Sequence, residues 1–315
     1  WQQLNTDKRA VRDSRPIPDG NVEYLIYQTM LGAWPFDPAA IESFHQRLNA
    51  YLIKAVREAK EHSSWVEPDT VYEETLTGFV DALFDRQRSN AFLSDFTEFQ
   101  RRIARAGALN SLSQTLIKLT APGIPDIYQG NELWDFSLVD PDNRRPVDYA
   151  RRAQLLAELD AAQSGTALLH ILTTHWQDGR IKLFLLQTAL DLRQRHPDLF
   201  AHGDYSPIQL TGDQSEHIFA YVRTHQDTVV ITVAPRRCST VLDDGEDLMA
   251  LGRWGDTTLT LPDGWSGPAR DLFTGEVIPT VNVLGVPSLR LSDVFRHFPV
   301  GLVGNDATIE RASTA

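Results

Sequence analysis

Residues 120–149 read T-A-P-G-I-P-D-I-Y-Q-G-N-E-L-W-D-F-S-L-V-D-P-D-N-R-R-P-V-D-Y, and this stretch decides the fold. A short apolar core, residues 124–128, lies between Pro122-Gly123 and Gly130. That punctuation predicts a buried strand and not a helix. The loop after it carries Trp134 and Tyr149, the carboxylates Glu132, Asp135, Asp140, Asp142 and Asp148, the amide Asn143, and the paired guanidinia Arg144 and Arg145. Carboxylates and bidentate arginines beside flat aromatic faces suit a polyhydroxylated neutral ligand such as a sugar. A strand feeding a polar loop is also how a (β/α)8 barrel presents binding residues at its C-terminal rim.

On both sides of this stretch the periodicity changes character. Upstream, helical stripes follow one another: Val22, Leu25, Ile26 and Met30 with Asn21 as N-cap; Ile41, Phe44, Leu48, Tyr51, Ala55 and Ala59; Leu76, Val80, Leu83 and Phe84; then Phe92, Phe96, Phe99 and Ile103, continued by Leu109, Leu112, Leu116 and Leu119. Four or more helices in a row exceed the single outer helix of one barrel unit, so a helical insertion between barrel strands is expected. Trp34, Trp65, Phe92 and Phe99 read as core, and Lys54, Arg57, Lys60 and His62 as a solvated face. Downstream, helices are expected over 148–162 and 181–196, the latter stopped by Pro197. Beyond Gly203 the period becomes two, in H-I-F-A-Y-V-R-T, T-V-V-I-T-V-A, T-T-L-T-L-P and S-L-R-L-S, with turn signals between the runs. Short strands at this spacing predict an all-β sandwich.

The organisation expected is therefore an α+β multidomain fragment. It has a linker or helix end at 1–21, a helical subdomain at 22–119, the last strand of a barrel with its loop and outer helices at 120–202, an all-β C-terminal sandwich at 203–303, and a disordered tail at 304–315.

Composition narrows the function classes. The 315 residues are 42% hydrophobic and 23% charged, enough for two domains with sizeable cores. A net charge of -12 and a pI near 5.2 argue against nucleic acid and anionic membranes as partners. The single cysteine, Cys238, excludes an internal disulfide framework and fits a reducing cytoplasm. Neither a spanning apolar run nor a secretory signal is present in the sequence, and the absence of an initiator Met suggests a piece of something longer. The nine histidines have no metal-ligand spacing, and no G-x-S-x-G, P-loop or dinucleotide fingerprint occurs, so no metal or organic cofactor is expected.

The stretch P-G-I-P-D-I-Y-Q-G-N-E-L-W-D-F-S-L-V-D-P-D-N-R-R-P-V-D resembles the last barrel strand and following loop of the α-amylase superfamily and, within it, the maltooligosyl trehalose synthase family. L-I-Y-Q-T-M-L-G-A-W-P, Y-L-I-K-A-V-R-E-A-K-E-H-S-S-W, N-S-L-S-Q-T-L-I-K-L-T-A-P-G, D-L-F-T-G-E-V and F-R-H-F-P-V-G-L-V are similar to the same family. The resemblance implies part of an intramolecular transglycosylase acting on maltooligosaccharides, which turns the reducing-end α-1,4 bond into α-1,1. Such retaining chemistry needs two carboxylates about 5 Å apart. In the family these acids, and a third in a T-H-D-T motif, stand before the region matching residue 1. This chain contains no His-Asp dipeptide, so no catalytic residue is expected in it.

Substrate-binding positions remain. In related enzymes with a D-P-x-x-R loop, the Asp and Arg bind the sugar at subsite minus two. Here they are Asp140 and Arg144, which could equally form a bridge that shapes the loop. Tyr128 at the mouth of the strand and Trp134 as a stacking platform complete the candidates. The expected partners are the maltooligosaccharide and the remaining barrel segment of the same protein, or a second copy, because an unflanked barrel strand exposes unpaired backbone. The competing readings are a non-catalytic glucan-binding or assembly module and a related α-amylase-superfamily hydrolase or branching enzyme.

Overall fold

The computed structural model describes residues 1–139, 142–162, 165–242, 248–249 and 254–310. It divides into two compact units: residues 1–104 with 135–147, and residues 105–134 with 148–315.

In the first unit, β1 (Ala10–Arg12) and β2 (Arg15–Ile17) form an antiparallel hairpin whose turn residues, Asp13 and Ser14, both have positive φ. Three helices follow: α1 (Gly20–Ala33), α2 (Ile41–Ala59) and α3 (Thr70–Phe84). The start of α4 (Asn90–Thr120) completes the unit. Asp19, not Asn21, caps α1, its Oδ1 accepting from the Asn21 and Val22 amides at 2.8 and 3.0 Å. The core gathers Ile26 and Met30 of α1, Phe44, Leu48, Leu52 and Val56 of α2, Leu76, Phe79 and Val80 of α3, and Phe92 and Phe96 of α4. On α2 the buried row is thus 44, 48, 52 and 56, a strict i+4 ridge rotated from the expected stripe.

Of residues 1–21, expected as a linker or helix end, Ile17 lies in this core and Trp1 packs against it. Trp1 packs edge-on against Tyr27, Phe92 and Phe99, with ring centroids 5.4–5.8 Å apart. A large aromatic that buries its faces this way outweighs the charge of the residues around it. Trp65 reverses the expectation in the other direction: it is 55% exposed. Arg57 is not a solvated side chain, because its guanidinium grips Glu73 bidentately at 2.7 and 2.6 Å.

In the second unit, α4 continues to Thr120, and α5 (Tyr149–Ala161), α6 (Thr166–Thr174), α7 (Arg180–Arg195) and α8 (Pro197–His202) follow. Two antiparallel sheets are built from the remaining strands. One has the order β3 (Asp204–Pro207), β5 (Ile218–His225), β6 (Thr228–Pro235), β12 (Gly301–Gly304), β8 (Ala269–Asp271), β9 (Val277–Ile278). The other runs β10 (Thr280–Val283), β11 (Val286–Arg290), β7 (Thr258–Thr260), β4 (Leu210–Thr211). The short helices α9 (Leu291–Val294) and α10 (Asp306–Glu310) flank β12. Of the tail expected to be disordered at 304–315, residues 304–310 are structured, with Asn305 buried and its Nδ2 donating to the Asp227 carbonyl at 2.7 Å, and 311–315 lie outside the described residues.

Every residue of β6 is buried, so this strand is covered on both faces. One cover is α4: Ser113 Oγ donates to the Pro235 carbonyl at 2.8 Å, and the Thr120, Tyr221 and Thr232 hydroxyls form a chain at 2.6 and 3.0 Å. Arg223 of β5 closes the arrangement. Its guanidinium donates to the carbonyls of Thr120, Leu199, Phe200, Gly203 and Asp204 at 2.9–3.3 Å. These include carbonyls at the C-terminal ends of α4 and α8, where helices leave acceptors unsatisfied.

Residues 124–128, expected as the last barrel strand, form no strand. Ile124 is 98% exposed and Tyr128 51%. Pro125 removes an N–H from the middle of the segment, and among the described residues no strand lies alongside to share a ladder.

Two outcomes follow from this packing. Arg223→Leu leaves buried carbonyls without donors and is expected to lower stability by about 3 kcal/mol, read from the guanidinium chloride midpoint. The Arg57 guanidinium, helped by Ser63 Oγ, holds the Glu73 carboxyl below the ordinary carboxylate range. A depressed folded-state pKa stabilises above the unfolded value and is lost as protonation sets in, so the first unit loses stability as pH falls below about 4.3. Glu73→Gln is expected to flatten that acid limb in a melting-temperature series.

Candidate functional site

The loop that follows α4 belongs to both units, and each portion has its own supports. In the second unit, Arg193 of α7 holds the start of the loop, donating to the carbonyls of Leu119 at 2.8 Å and Gly123 at 3.2 Å while its guanidinium lies 4.6 Å from the Phe200 ring centroid. A turn closes where the Asn131 amide donates to the Tyr128 carbonyl at 3.0 Å and Gly130 takes a positive φ. Arg152 of α5 reaches back to that turn. Its Nε pairs with Glu132 at 2.9 Å, and its terminal nitrogens donate to the carbonyls of Gly130 and Asp148 at 2.8 and 3.1 Å. Asp148 caps α5 by accepting from the Arg151 amide at 2.8 Å.

Trp134 is half-buried and fixed in position. Its indole N–H donates to the Trp176 carbonyl at 2.7 Å, and the two rings meet edge to face with centroids 6.3 Å apart. Lys182 of α7 stands 5.9 Å from the Trp134 ring centroid and donates to the Leu133 carbonyl at 3.2 Å. Gly179 makes room for the approach. It has φ +83°, and a Cβ there would fall 3.1 Å from Leu133 Cβ and 3.3 Å from the Trp134 backbone nitrogen. Tyr128, Trp134 and Glu132 thus share one unit.

In the first unit, Asp135 accepts from the Ser137 amide at 2.9 Å. Asp142 receives the Leu138 amide at 2.7 Å, an Arg47 nitrogen at 2.6 Å and Arg145 Nε at 2.8 Å. Arg47 also donates to the Phe136 carbonyl at 3.3 Å, and Leu138 enters the core of that unit. Asp142 is accordingly the carboxylate that shapes this part of the loop. Arg144 is exposed on the short 3-10 turn Asp142–Arg144, and Asp140 lies outside the described residues. The structure brings Tyr128 and Trp134 into one unit and sets Arg144 in the other. Sequence reasoning missed Arg152, Trp176 and Lys182. The H-W-Q-D-G-R run was the available signal, a tryptophan and a glycine at the start of an amphipathic helix.

One more cluster lies in the first unit, where donor atoms of Asp19, Glu61 and His62 fall within 4.8 Å of one another. His62 Nε2 and Asp19 Oδ2 are hydrogen-bonded at 2.6 Å. Burial pushes the Asp19 carboxyl up, but hydrogen bonds from Val22, His62 and Asn21 outweigh it and leave the group below its ordinary range.

These features define a mixed helix-and-sheet chain with antiparallel C-terminal sheets and a braced, aromatic, acid-rich loop. No protein-family model matches it. A Mycobacterium tuberculosis protein named "Putative maltooligosyl trehalose synthase" is 34% identical over 261 residues, which is 82% of this chain and 29% of that protein. Among solved structures, maltooligosyltrehalose synthase from Arthrobacter ramosus superposes with a TM-score of 0.73 at 32% identity, over 96% of this chain and 34% of that one. A Sulfolobus tokodaii structure described as a "hypothetical maltooligosyl trehalose synthase" gives a TM-score of 0.63 at 28% identity, over 91% of this chain and 32% of that one. The chain belongs with the maltooligosyl trehalose synthase family and matches a C-terminal portion of it. It spans about a third of the length of the relatives it matches.

The bracing of the loop by one arginine can be tested by hydrogen exchange. Arg152→Ala is expected to speed amide exchange across residues 129–134 several-fold while leaving β5 and β6 protected, because the bonds removed brace only this loop and the α5 N-terminus.

Proposed function

We propose that this chain is the substrate-gripping and supporting portion of an intramolecular transglycosylase that converts the reducing-end α-1,4 bond of a maltooligosaccharide into the α-1,1 bond of a maltooligosyl trehalose. The observation that carries the reading is Trp134. An indole locked by its own N–H and backed by Lys182 costs little ordering entropy when a sugar ring stacks on it. The agreement with maltooligosyl trehalose synthases over most of this chain supports the choice of glucan.

The pair of carboxylates that retaining chemistry requires is assigned to the part of the family's length that this chain does not span. Glu132, Asp142 and Asp148 are engaged otherwise, with Arg152, with Arg47 and Arg145, and with the α5 N-terminus. Arg144 and Asp140 are proposed as sugar ligands from the D-P-x-x-R pattern alone, Asp140 lying outside the described residues. Residues 124–128, with Ile124 and Tyr128 exposed and Ile127 packed on Leu119, Leu186 and Ala189, would complete a barrel when the rest of the protein supplies strands on both sides.

The test is calorimetry of this chain with maltopentaose, accompanied by a turnover assay. Binding without product formation is expected. Trp134→Ala should weaken binding about tenfold, the equivalent of roughly 1.4 kcal/mol. Turnover at ordinary enzymic rates by the chain alone would overturn the assignment of the acids elsewhere.

A further inference from the structure

The cluster of Asp19, Glu61 and His62 in the first unit joins groups that no sequence spacing announces, Asp19 and His62 being 43 residues apart. Asp19 stands at the N-terminus of α1, where its Oδ1 accepts from the Asn21 and Val22 amides. Glu61 and His62 follow Lys60, on which α2 ends in the left-handed conformation. Two carboxylates and one imidazole therefore converge from two places in the fold, and their ligand atoms all lie within 4.8 Å of one another.

A buried phenol adjoins them. Tyr72 of α3 stacks its ring on the His62 imidazole, with centroids 4.8 Å apart and planes inclined by 25°. The residue is only 4% exposed, and its hydroxyl has no hydrogen-bond partner among the described residues. A hydroxyl withdrawn from water without a partner costs free energy, and native structures leave few of them. Burial first, and then the negative charges of Asp19 and Glu61, push this hydroxyl up to about 12. The ring lies along the imidazole and the oxygen lies in the field of both carboxylates, so the one polar atom of the phenol is turned to the cluster.

Two carboxylates held this close repel each other when both are ionised, and the His62 ring, hydrogen-bonded to Asp19 Oδ2 at 2.6 Å, answers only one of them. A divalent cation would neutralise both. The ligand set selects among cations: magnesium and calcium take oxygen ligands, whereas an imidazole nitrogen with carboxylate oxygens suits zinc. Three protein ligands leave a fourth tetrahedral position for water, and the Tyr72 hydroxyl has the hydrogen-bonding capacity to hold it. As the ion enters, the bond between His62 and Asp19 gives way to bonds from each to the metal, and its proton passes to the other ring nitrogen. Access is open, because a cleft of about 490 Å³ is lined by Glu61, His62, Glu67 and Asp69, with Lys60 as the opposing charge.

We propose that Asp19, Glu61 and His62 form a zinc site, with the Tyr72 hydroxyl holding a water in the fourth position of the ion. The metal would tie the N-terminus of α1 to the chain between α2 and α3 and so stabilise the first unit. This role is independent of the sugar chemistry proposed above.

Calorimetry of the chelator-treated chain with zinc chloride, together with melting curves in zinc and in chelator, tests it. Wild type should bind zinc and melt higher in zinc than in chelator. Glu61→Ala, at an exposed position, and His62→Phe, which keeps a ring against Tyr72, should each remove the binding heat and the rise in melting temperature. Tyr72→Phe should weaken zinc binding about tenfold. The same change should leave the zinc-free chain at least as stable as wild type, because it deletes a buried hydroxyl that has no partner, an outcome that a purely structural role for that hydroxyl would reverse. Failure of wild type to bind zinc overturns the site, and so does zinc heat that persists in Glu61→Ala or His62→Phe. Magnesium bound as tightly as zinc would mark an unselective acidic patch and overturn it too. Unchanged zinc affinity in Tyr72→Phe overturns the part assigned to the hydroxyl.

Discussion

A guanidinium buried in the second unit governs how its helices meet its sheet. Arg223 sends all of its hydrogen bonds to backbone carbonyls, and burial draws its pKa down from the ordinary value. Carbonyls at a helix C-terminus carry the negative end of the dipole and lack intrahelical donors. One cation that answers those of α4 and α8, together with the first residue of β3, fixes three chain ends around a single strand, β5. The charge is matched by partial charges and not by a carboxylate, so changing one partner's backbone position disturbs the others.

The loop after α4 begins immediately beyond that anchor. Its first residues are held by Arg193 and its turn by Arg152, while Trp134 rests against Trp176 and Lys182. Each of these supports comes from a helix of the same unit, so the position of the indole is set by helix packing and not by the loop's own conformation. The later residues of the loop take their order from Asp142 and Arg47 in the first unit. A sequence motif that reads as one site is therefore stabilised in two separate pieces, and the acids that looked available for chemistry are largely consumed in bracing.

Helices and the long strands were legible in the sequence. Residues 181–196 were expected as a helix and α7 is Arg180–Arg195; H-I-F-A-Y-V-R-T and T-V-V-I-T-V-A were expected as strands and are β5 and β6. These elements carry their own period, 3.6 or two, over enough residues to outweigh local noise. Less was legible where a single side chain makes a nonlocal choice. Nothing near Trp1 announces that it closes an aromatic cluster with Phe92 and Phe99, and nothing near Trp65 announces that Arg57 props it outward. Arg152 and Lys182 were not singled out in the sequence, because their bonds to Glu132 and Leu133 span 20 and 49 residues.

Residues 124–128 make the sharpest contrast, because the composition argued for a strand and the backbone forms none. A helix satisfies its amides and carbonyls within its own segment, so its sequence can specify it alone. A strand is a relation: each of its hydrogen bonds needs a neighbour, and a barrel strand needs one on both edges. In I-P-D-I-Y the proline deletes one donor and only three of five side chains are large and apolar. The local preference is too weak to order the segment by itself, whereas β5 and β6 supply each other with a ladder over eight residues. Of the segment's apolar residues Ile127 packs against Leu119, Leu186 and Ala189 while Ile124 and Tyr128 face solvent, and periodicity cannot distinguish those outcomes.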